Sequence, residues 1–293
     1  MPSWQGKSKG SPLGYRIFVF VLRIGGVIPA YLLLRFVVLH YFLFSYKTSK
    51  HTFNYFHQKL GYGFVRSVYK IYRNYYLLGQ TLIDKVVVMS GLPNKFTFNF
   101  DGEENLLQMA QLKKGGLLLS AHIGNWEIAG HLFKRLNAPL NIVMYDGERE
   151  QIKQYMESVT GKRNVKLIII KNDISHIFEI SEALRNNELV CMHADRFIEG
   201  NKTITGKFLG SEAKFPLGPF LLAARFKVPV SFVFAMKESN FHYHFFASAP
   251  KNYLHLERET GANQVLADFI YEMENKVKAY PEQWYNYFNF WQQ

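Results

Sequence analysis

The sequence predicts an α/β fold, a mixed, mostly parallel sheet flanked by helices and preceded by an N-terminal helical segment; three observations predict it. Short apolar runs recur at Leu117 to Ala121, Leu140 to Tyr145, Lys166 to Ile170, Leu189 to His193 and Val230 to Ala235. Amphipathic stretches near 127–136, 148–159, 174–185 and 216–226 separate them. Strands covered on both faces lose the polar alternation of a half-solvated sheet, and helical crossovers are what parallel pairing requires. Third, His242 to Ala247 alternates, as an added antiparallel strand does.

The first 92 residues have a different texture. Of the 35 Lys and Arg in the 293-residue chain, eleven lie between Met1 and Gln80, where there is no Asp or Glu. Removing them leaves 24 basic against 23 acidic residues, so the net charge of +12 belongs to this quarter. It is also apolar and aromatic, with Phe18, Phe20, Tyr31, Phe36, Tyr41, Phe42, Phe44 and Tyr46 around Arg16, Arg23 and Arg35. Basic and greasy together fit an anionic membrane surface, where each Lys or Arg contributes ~1 kcal/mol, and argue against nucleic acid as the partner. Residues 1–92 therefore read as a basic, aromatic, helical membrane-associating region.

Ile24 to Phe44 is long enough to span a bilayer, but Arg35 at its middle would cost ~2.5 to 3.5 kcal/mol there. Basic residues flank both ends, so no orientation is selected. An in-plane or re-entrant segment satisfies both facts. The stretch is too long and too charged internally for a cleaved signal peptide, which keeps the remainder in the cytoplasm. His51 to Met89 reads as helix, with Gly61 and Gly63 as its break.

Residues 93–293 form the α/β region. Phe96 to Phe100 alternates as a strand, Asp101-Gly102 turns, and Glu103 to Gln111 is a short helix ended by Lys113-Lys-Gly-Gly116. A last helix spans about Asn263 to Ala279, before the aromatic tail Pro281 to Trp291. The single cysteine, Cys191, excludes an internal disulfide and a multi-cysteine zinc site, and its apolar neighbours make it a buried strand residue.

The chemistry concentrates after the strand Leu117 to Ala121, in Ala121-His-Ile-Gly-Asn-Trp-Glu127. Were all these residues helical, His122 and Glu127 would point about 140° apart. They can converge only across a strand-turn-helix junction, which Gly124-Asn125 supplies. A His oriented by a carboxylate can take a proton from an alcohol or amine, for ~10² to 10⁴ in rate. A strand-end His beside an unrelated Glu is the alternative on spacing alone. His131 shares the helix face of Glu127, but the set His122, Glu127 and His131 lacks the i, i+4 His pair of a zinc helix, so no metal is expected.

Gly116-Leu-Leu-Leu-Ser-Ala-His-Ile-Gly-Asn-Trp-Glu127 resembles the first block of the bacterial lipid A late acyltransferases, within the glycerol-phosphate acyltransferase-like superfamily. Asp195-Arg196, Lys207-Phe-Leu-Gly210, Phe215-Pro-Leu-Gly-Pro219, Leu222-Ala223 and Val228-Pro-Val230 follow in that family's order, from about Phe96 to Trp284. The resemblance implies an O-acyltransferase with His122 as general base and Glu127 orienting it. It implies no cofactor, an acyl-carrier protein or acyl-CoA thioester as co-substrate, and a lipid acceptor at the cytoplasmic face of a bacterial inner membrane. Where that family often has a basic cluster after Pro281-Glu-Gln-Trp284, this chain has Tyr285 to Phe290, which weakens the case for a phosphate-rich acceptor.

Four further residues are expected at substrate. Asp195 and Arg196 follow the strand Leu189 to His193 and face the His122 cleft, Arg196 suiting a phosphate or developing oxyanion; a structural ion pair is the alternative. Asn125 would position donors at the turn, and Arg149 is the main basic residue after Tyr145. Lys113, Lys114, Lys134 and Arg135 offer basic spots for an acidic carrier protein, or are solvated helix ends. Water as acceptor, giving a thioesterase or lipid hydrolase, and an inactive lipid-binding protein are the rival readings.

Overall fold

The computed structural model describes residues 12–128, 139–145, 166–171, 173–198 and 200–291. Helix α1 (Pro12–Gly25) and helix α2 (Val27–Phe44) meet at Gly26, whose φ of 74° is a left-handed conformation that glycine adopts without steric cost. The break at Gly26 leaves Val27–Phe44 of the expected Ile24 to Phe44 segment as one helix. On α2, Val27, Ala30, Tyr31, Leu34 and Val38 are buried, while Ile28, Leu32, Phe36, Leu39 and Leu43 are exposed, Phe36 keeping 73% of its surface. Each set recurs every three or four residues, so the helix has one face on the protein and an equally apolar face off it. Arg35 is exposed. Among the described residues α2 alone is long and apolar enough to cross a membrane.

Helix α3 (Tyr46–Asn54) continues through a π-helical turn (Tyr55–Lys59) to the break at 60–63, and helix α4 (Phe64–Ser90) follows, closed by left-handed Gly91. Helix α2 lies against α4 at Gly79, where a side-chain carbon would come within 2.4 Å of Leu34.

Beyond α4 the chain builds β1 (Thr97–Asp101), α5 (Glu103–Gln111), β2 (Gly116–Ser120), β3 (Leu140–Tyr145), β4 (Lys166–Ile170), α6 (Ser175–Arg185) and β5 (Leu189–His193). Then come β6 (Thr203–Phe208), β7 (Ser211–Pro216), α7 (Leu217–Phe226), β8 (Val230–Ser239), β9 (His242–Ala247) and α8 (Arg258–Ala279). Seven strands form one sheet in the order β1-β9-β8-β2-β5-β3-β4, parallel at every pairing except β8 with β9. The expected α/β class and its antiparallel addition are both present. The helices expected near 127–136, beyond residue 128, and at 148–159 lie outside the described residues.

Strand β2 is central and buried throughout, which is why its sequence is glycine and leucine with no polar residue before Ser120. Strands β6 and β7 form a separate antiparallel hairpin turning at Leu209-Gly210, both at positive φ. The hairpin rests on α8, where a side-chain carbon on Gly206 would come within 2.4 Å of Ile270. One hydrophobic core runs through both regions of the chain, joining Phe56 and Val87 of the N-terminal helices to Leu119, Phe232, Phe269 and Trp284.

A buried polar group stitches the same junction. Lys237 Nζ on β8 lies 2.6 Å from Asp84 Oδ2 on α4, with both side chains almost wholly enclosed. Tyr31 of α2 and Tyr243 of β9 donate their hydroxyls to the same carboxylate, and Lys237 also donates to the Asn240 carbonyl at 2.9 Å. A buried ion pair of this kind needs such extra hydrogen bonds to offset desolvation.

Candidate active site

Two adjacent parallel strands create the site. Ser120 at the end of β2 is in register with His193 at the end of β5, and Ala194 N donates to Ser120 O at 2.8 Å. Both chains continue in step, so His122 and Asp195, each two residues past its strand, arrive side by side. The carboxyl ends of parallel strands are where α/β folds place their functional loops.

Asp195 grips His122 at two points. Oδ2 accepts the His122 backbone N–H at 3.1 Å, and Oδ1 lies 2.7 Å from Nδ1. An ionised carboxylate can only accept, so Nδ1 carries the proton and Nε2 holds the lone pair. The electrostatics support this tautomer. Burial alone would raise the Asp195 carboxyl, but the His122 ring, its hydrogen bond and Arg196 hold it well below the ordinary carboxylate range. Burial, helped by Arg196, holds His122 below 6.5 against the opposing pull of Asp195 and Glu127. A neutral imidazole beside a fixed anion is the resting state of a general base.

The turn after His122 is pressed onto the sheet. Gly124 has φ +65°, and a side-chain carbon there would come 2.0 Å from the Ala235 carbonyl. Asn125 N donates to that carbonyl at 2.7 Å. The tail straps the other side: Gly124 N donates to Gln283 O at 2.9 Å and Tyr285 N to His122 O at 3.1 Å. Gln283 also brackets Lys237, accepting from its N–H at 2.9 Å and donating to its carbonyl at 2.7 Å. Aromatic rings pack the imidazole, with His193 at 4.4 Å and Trp126 at 5.0 Å between centroids.

Several sequence expectations change here. The expected partner of the His122 ring is Glu127; the structure puts Asp195 on Nδ1 instead, while Glu127 forms an ion pair with Lys85 of α4. The turn does redirect the chain as required, but it carries Glu127 toward α4, and the neighbouring strand fills the position at the ring. The charge of Glu127 favours the protonated His122 ring.

Asn125, expected at substrate, is buried in the scaffold. Its amide nitrogen donates to Thr81 O at 3.1 Å and Tyr243 Oη at 3.2 Å, and its oxygen accepts Ile128 N at the start of the following helical turn. Asp195, also expected at substrate, serves the His122 ring. Arg196 does reach the site, but its Nη2 donates to Tyr285 O at 2.5 Å and its Nε sits 3.9 Å from Asp195, so it also ties the tail to Asp195. Arg149, His131, Lys134 and Arg135 lie outside the described residues. Burial pushes the Cys191 thiol up to about 12, so it is no nucleophile at neutral pH.

Sequence reasoning missed the contribution of Gln283 and Tyr285, whose contacts with the His122 turn are made by the backbone and leave no side-chain signature. It also missed Lys85 and His193. Local spacing does not mark Asp195 as the ring's partner: it stands two residues past the run Leu189 to His193, whereas His122 directly follows Leu117 to Ala121.

Comparison with known proteins places this site in context. Phosphatidylinositol mannoside acyltransferase of Mycobacterium tuberculosis is 29% identical over 113 residues, covering 37% of this chain and 34% of that protein. The chain thus matches about a third of the length of this curated relative. The crystal structure of 1-acyl-sn-glycerophosphate (LPA) acyltransferase from Thermotoga maritima aligns with a TM-score of 0.43 at 12% identity, over 85% of this chain and 98% of that one. Residues 77–293, from the middle of α4 through the sheet, His122, Asp195 and the strapping tail, match the family described as bacterial lipid A biosynthesis acyltransferase, and the chain belongs to that family.

Proposed function

We propose that this protein is an acyltransferase that moves a fatty acyl group from an acyl-carrier protein or acyl-CoA thioester to a hydroxyl, or less readily an amine, of a lipid acceptor. The carrying observation is the two-point hold of Asp195 on His122 in a member of this family. His122 Nε2 takes the acceptor proton as the acceptor oxygen attacks the thioester carbonyl. Asp195 stabilises the imidazolium that forms. The tetrahedral intermediate collapses by breaking its carbon–sulfur bond, and the departing thiolate takes the proton back from Nε2. One base thus serves both proton transfers, without an acyl-enzyme.

The setting we infer is the cytoplasmic face of a bacterial inner membrane. The exposed apolar sides of α1 and α2, with Leu13, Phe20, Ile24, Leu32 and Phe36 unburied, support lipid contact, as do the basic residues among them. Arg35 borders that face, where a long side chain can reach the headgroups. In-plane seating fits this arrangement better than a simple span.

The test is a radiolabelled acyl thioester incubated with the purified full chain and a bacterial lipid extract, resolved by chromatography and mass spectrometry. Acylated lipid that forms with wild type and disappears with His122→Ala is expected. Free fatty acid released at the same rate without acceptor would replace the reading with a thioesterase. Indistinguishable products from wild type and His122→Ala would leave a lipid-binding protein without catalysis.

A further inference from the structure

His193 is a partly buried imidazole that the proposed mechanism does not use. Its ring stacks on His122, 4.4 Å between centroids and tilted by 35°, and Trp126 edges both rings, at 5.0 Å from His122 and 5.3 Å from His193. Its Nδ1 is buried with no hydrogen-bond partner, an unusual condition for such a group. One ligand atom from each of His122, His193 and Asp195 lies within 4.8 Å of the other two. All three residues stand at or just beyond the carboxyl ends of the paired strands β2 and β5.

We propose that His122, His193 and Asp195 form a site for a divalent transition metal, zinc by preference, whose occupation switches the catalytic base off. The inference rests on reading His122 as that base. Two imidazoles and a carboxylate suit zinc and its borderline neighbours, whereas magnesium and calcium prefer all-oxygen shells. Zinc bonds of ~2.0 to 2.2 Å in tetrahedral geometry put ligand atoms roughly 3.3 to 3.5 Å apart, a spread these side chains reach by small rotations. Three protein ligands leave a fourth position for water. Metal binding and catalysis exclude each other here. The ion takes the Asp195 oxygen and a His122 ring nitrogen on which proton transfer depends. Coordination changes no oxidation state and breaks no covalent bond, so chelation reverses it. Such a protein would make its lipid only where free zinc is scarce.

The experiment uses the full chain, freed of metal by chelator and titrated with cobalt(II) chloride, whose four-coordinate complexes absorb visible light. Acyl transfer is measured in parallel under zinc chloride. Expected are one cobalt ion per chain, displacement by zinc, and transfer that falls at least about tenfold at saturation and recovers with chelator. Since loss of a mere supporting contact weakens metal sites ~10 to 100-fold, His193→Phe and His193→Gln should each raise the half-inhibiting zinc concentration by at least about tenfold. Each variant is referred to its own uninhibited rate, and thermal melting establishes that it is folded. No visible band in wild type, or band and inhibition unchanged in both variants, overturns the proposal. A His193-dependent band with undiminished transfer retains the metal site and rejects both the switch and His122 as the base.

Discussion

Replacing Lys237 by Met removes one partner of the buried pair that holds α2, α4 and the sheet together. At 2.6 Å and an effective dielectric of 20, the Coulomb attraction between Lys237 and Asp84 is about 6 kcal/mol. Desolvation of two charges enclosed this fully offsets most of it. Removing the ammonium alone leaves the Asp84 carboxylate with only the Tyr31 and Tyr243 hydroxyls, which costs ~3 to 5 kcal/mol. Melting entropy near 2.1 cal/mol/K per residue, applied to this chain, converts that to a fall in Tm of about 5 to 8 °C. Asp84→Leu should cost as much. The double variant Asp84→Leu/Lys237→Met removes both charges and leaves the Tyr31 hydroxyl on the Asn240 carbonyl and the Tyr243 hydroxyl on the Asn125 amide, for ~1 to 3 kcal/mol in all. Differential scanning calorimetry on the three variants in one detergent gives the cycle. A double variant whose loss equals the sum of the two singles would refute the idea that the charges depend on each other.

Gly124→Ala forces a side chain against the Ala235 carbonyl at positive φ and should cost ~1 to 3 kcal/mol while displacing His122; near-normal transfer by this variant would argue against that turn as the element that aims the base. Charges on the exposed face of α2, as in Leu32→Glu/Phe36→Glu, should lower cosedimentation with anionic vesicles at least about tenfold while leaving melting unchanged, since neither side chain touches the core; unaltered binding would exclude this face. Cys191 should resist iodoacetamide at pH 7.5 until the chain is unfolded, and Cys191→Ala should keep its activity; loss of transfer, or labelled acyl chain on this residue, would demand a different mechanism.

The parts of the fold that the sequence disclosed share a physical cause. Leu117 to Leu119 and Leu189 to Met192 are apolar because strands covered on both faces have no solvated side, and His242 to Ala247 alternates because it sits near the sheet edge. The hairpin of β6 and β7 was hidden: Thr203 to Phe208 mixes threonine, glycine and lysine, and its burial depends on α8, far along the chain. His122 was legible as a candidate base from its place past a strand. The carboxylate that meets its ring was not, because spacing favours the nearby Glu127, while the registered pairing of β2 with β5 brings Asp195 across 73 residues. Asn125 and Arg196 bear side chains suited to substrate, yet capping and the tail carbonyl engage them. Local patterns report burial and turns; which polar groups meet is decided by strand order.

The most direct test of Asp195 as the orienting acid compares kcat and its pH dependence in wild type, Asp195→Asn and Glu127→Gln. Wild type should lose activity on acidification with an apparent midpoint below 6.5, because His122 must be neutral to act and burial holds its protonation below that value. Asp195→Asn should lower kcat by ~10² to 10⁴ with little change in KM, and its midpoint should move further down, since the carboxylate that favours the imidazolium is gone. Glu127→Gln should shift the midpoint in the same direction and reduce kcat far less. A Glu127→Gln enzyme that is dead beside an Asp195→Asn enzyme with near-normal turnover would contradict the assignment and return the orienting role to Glu127.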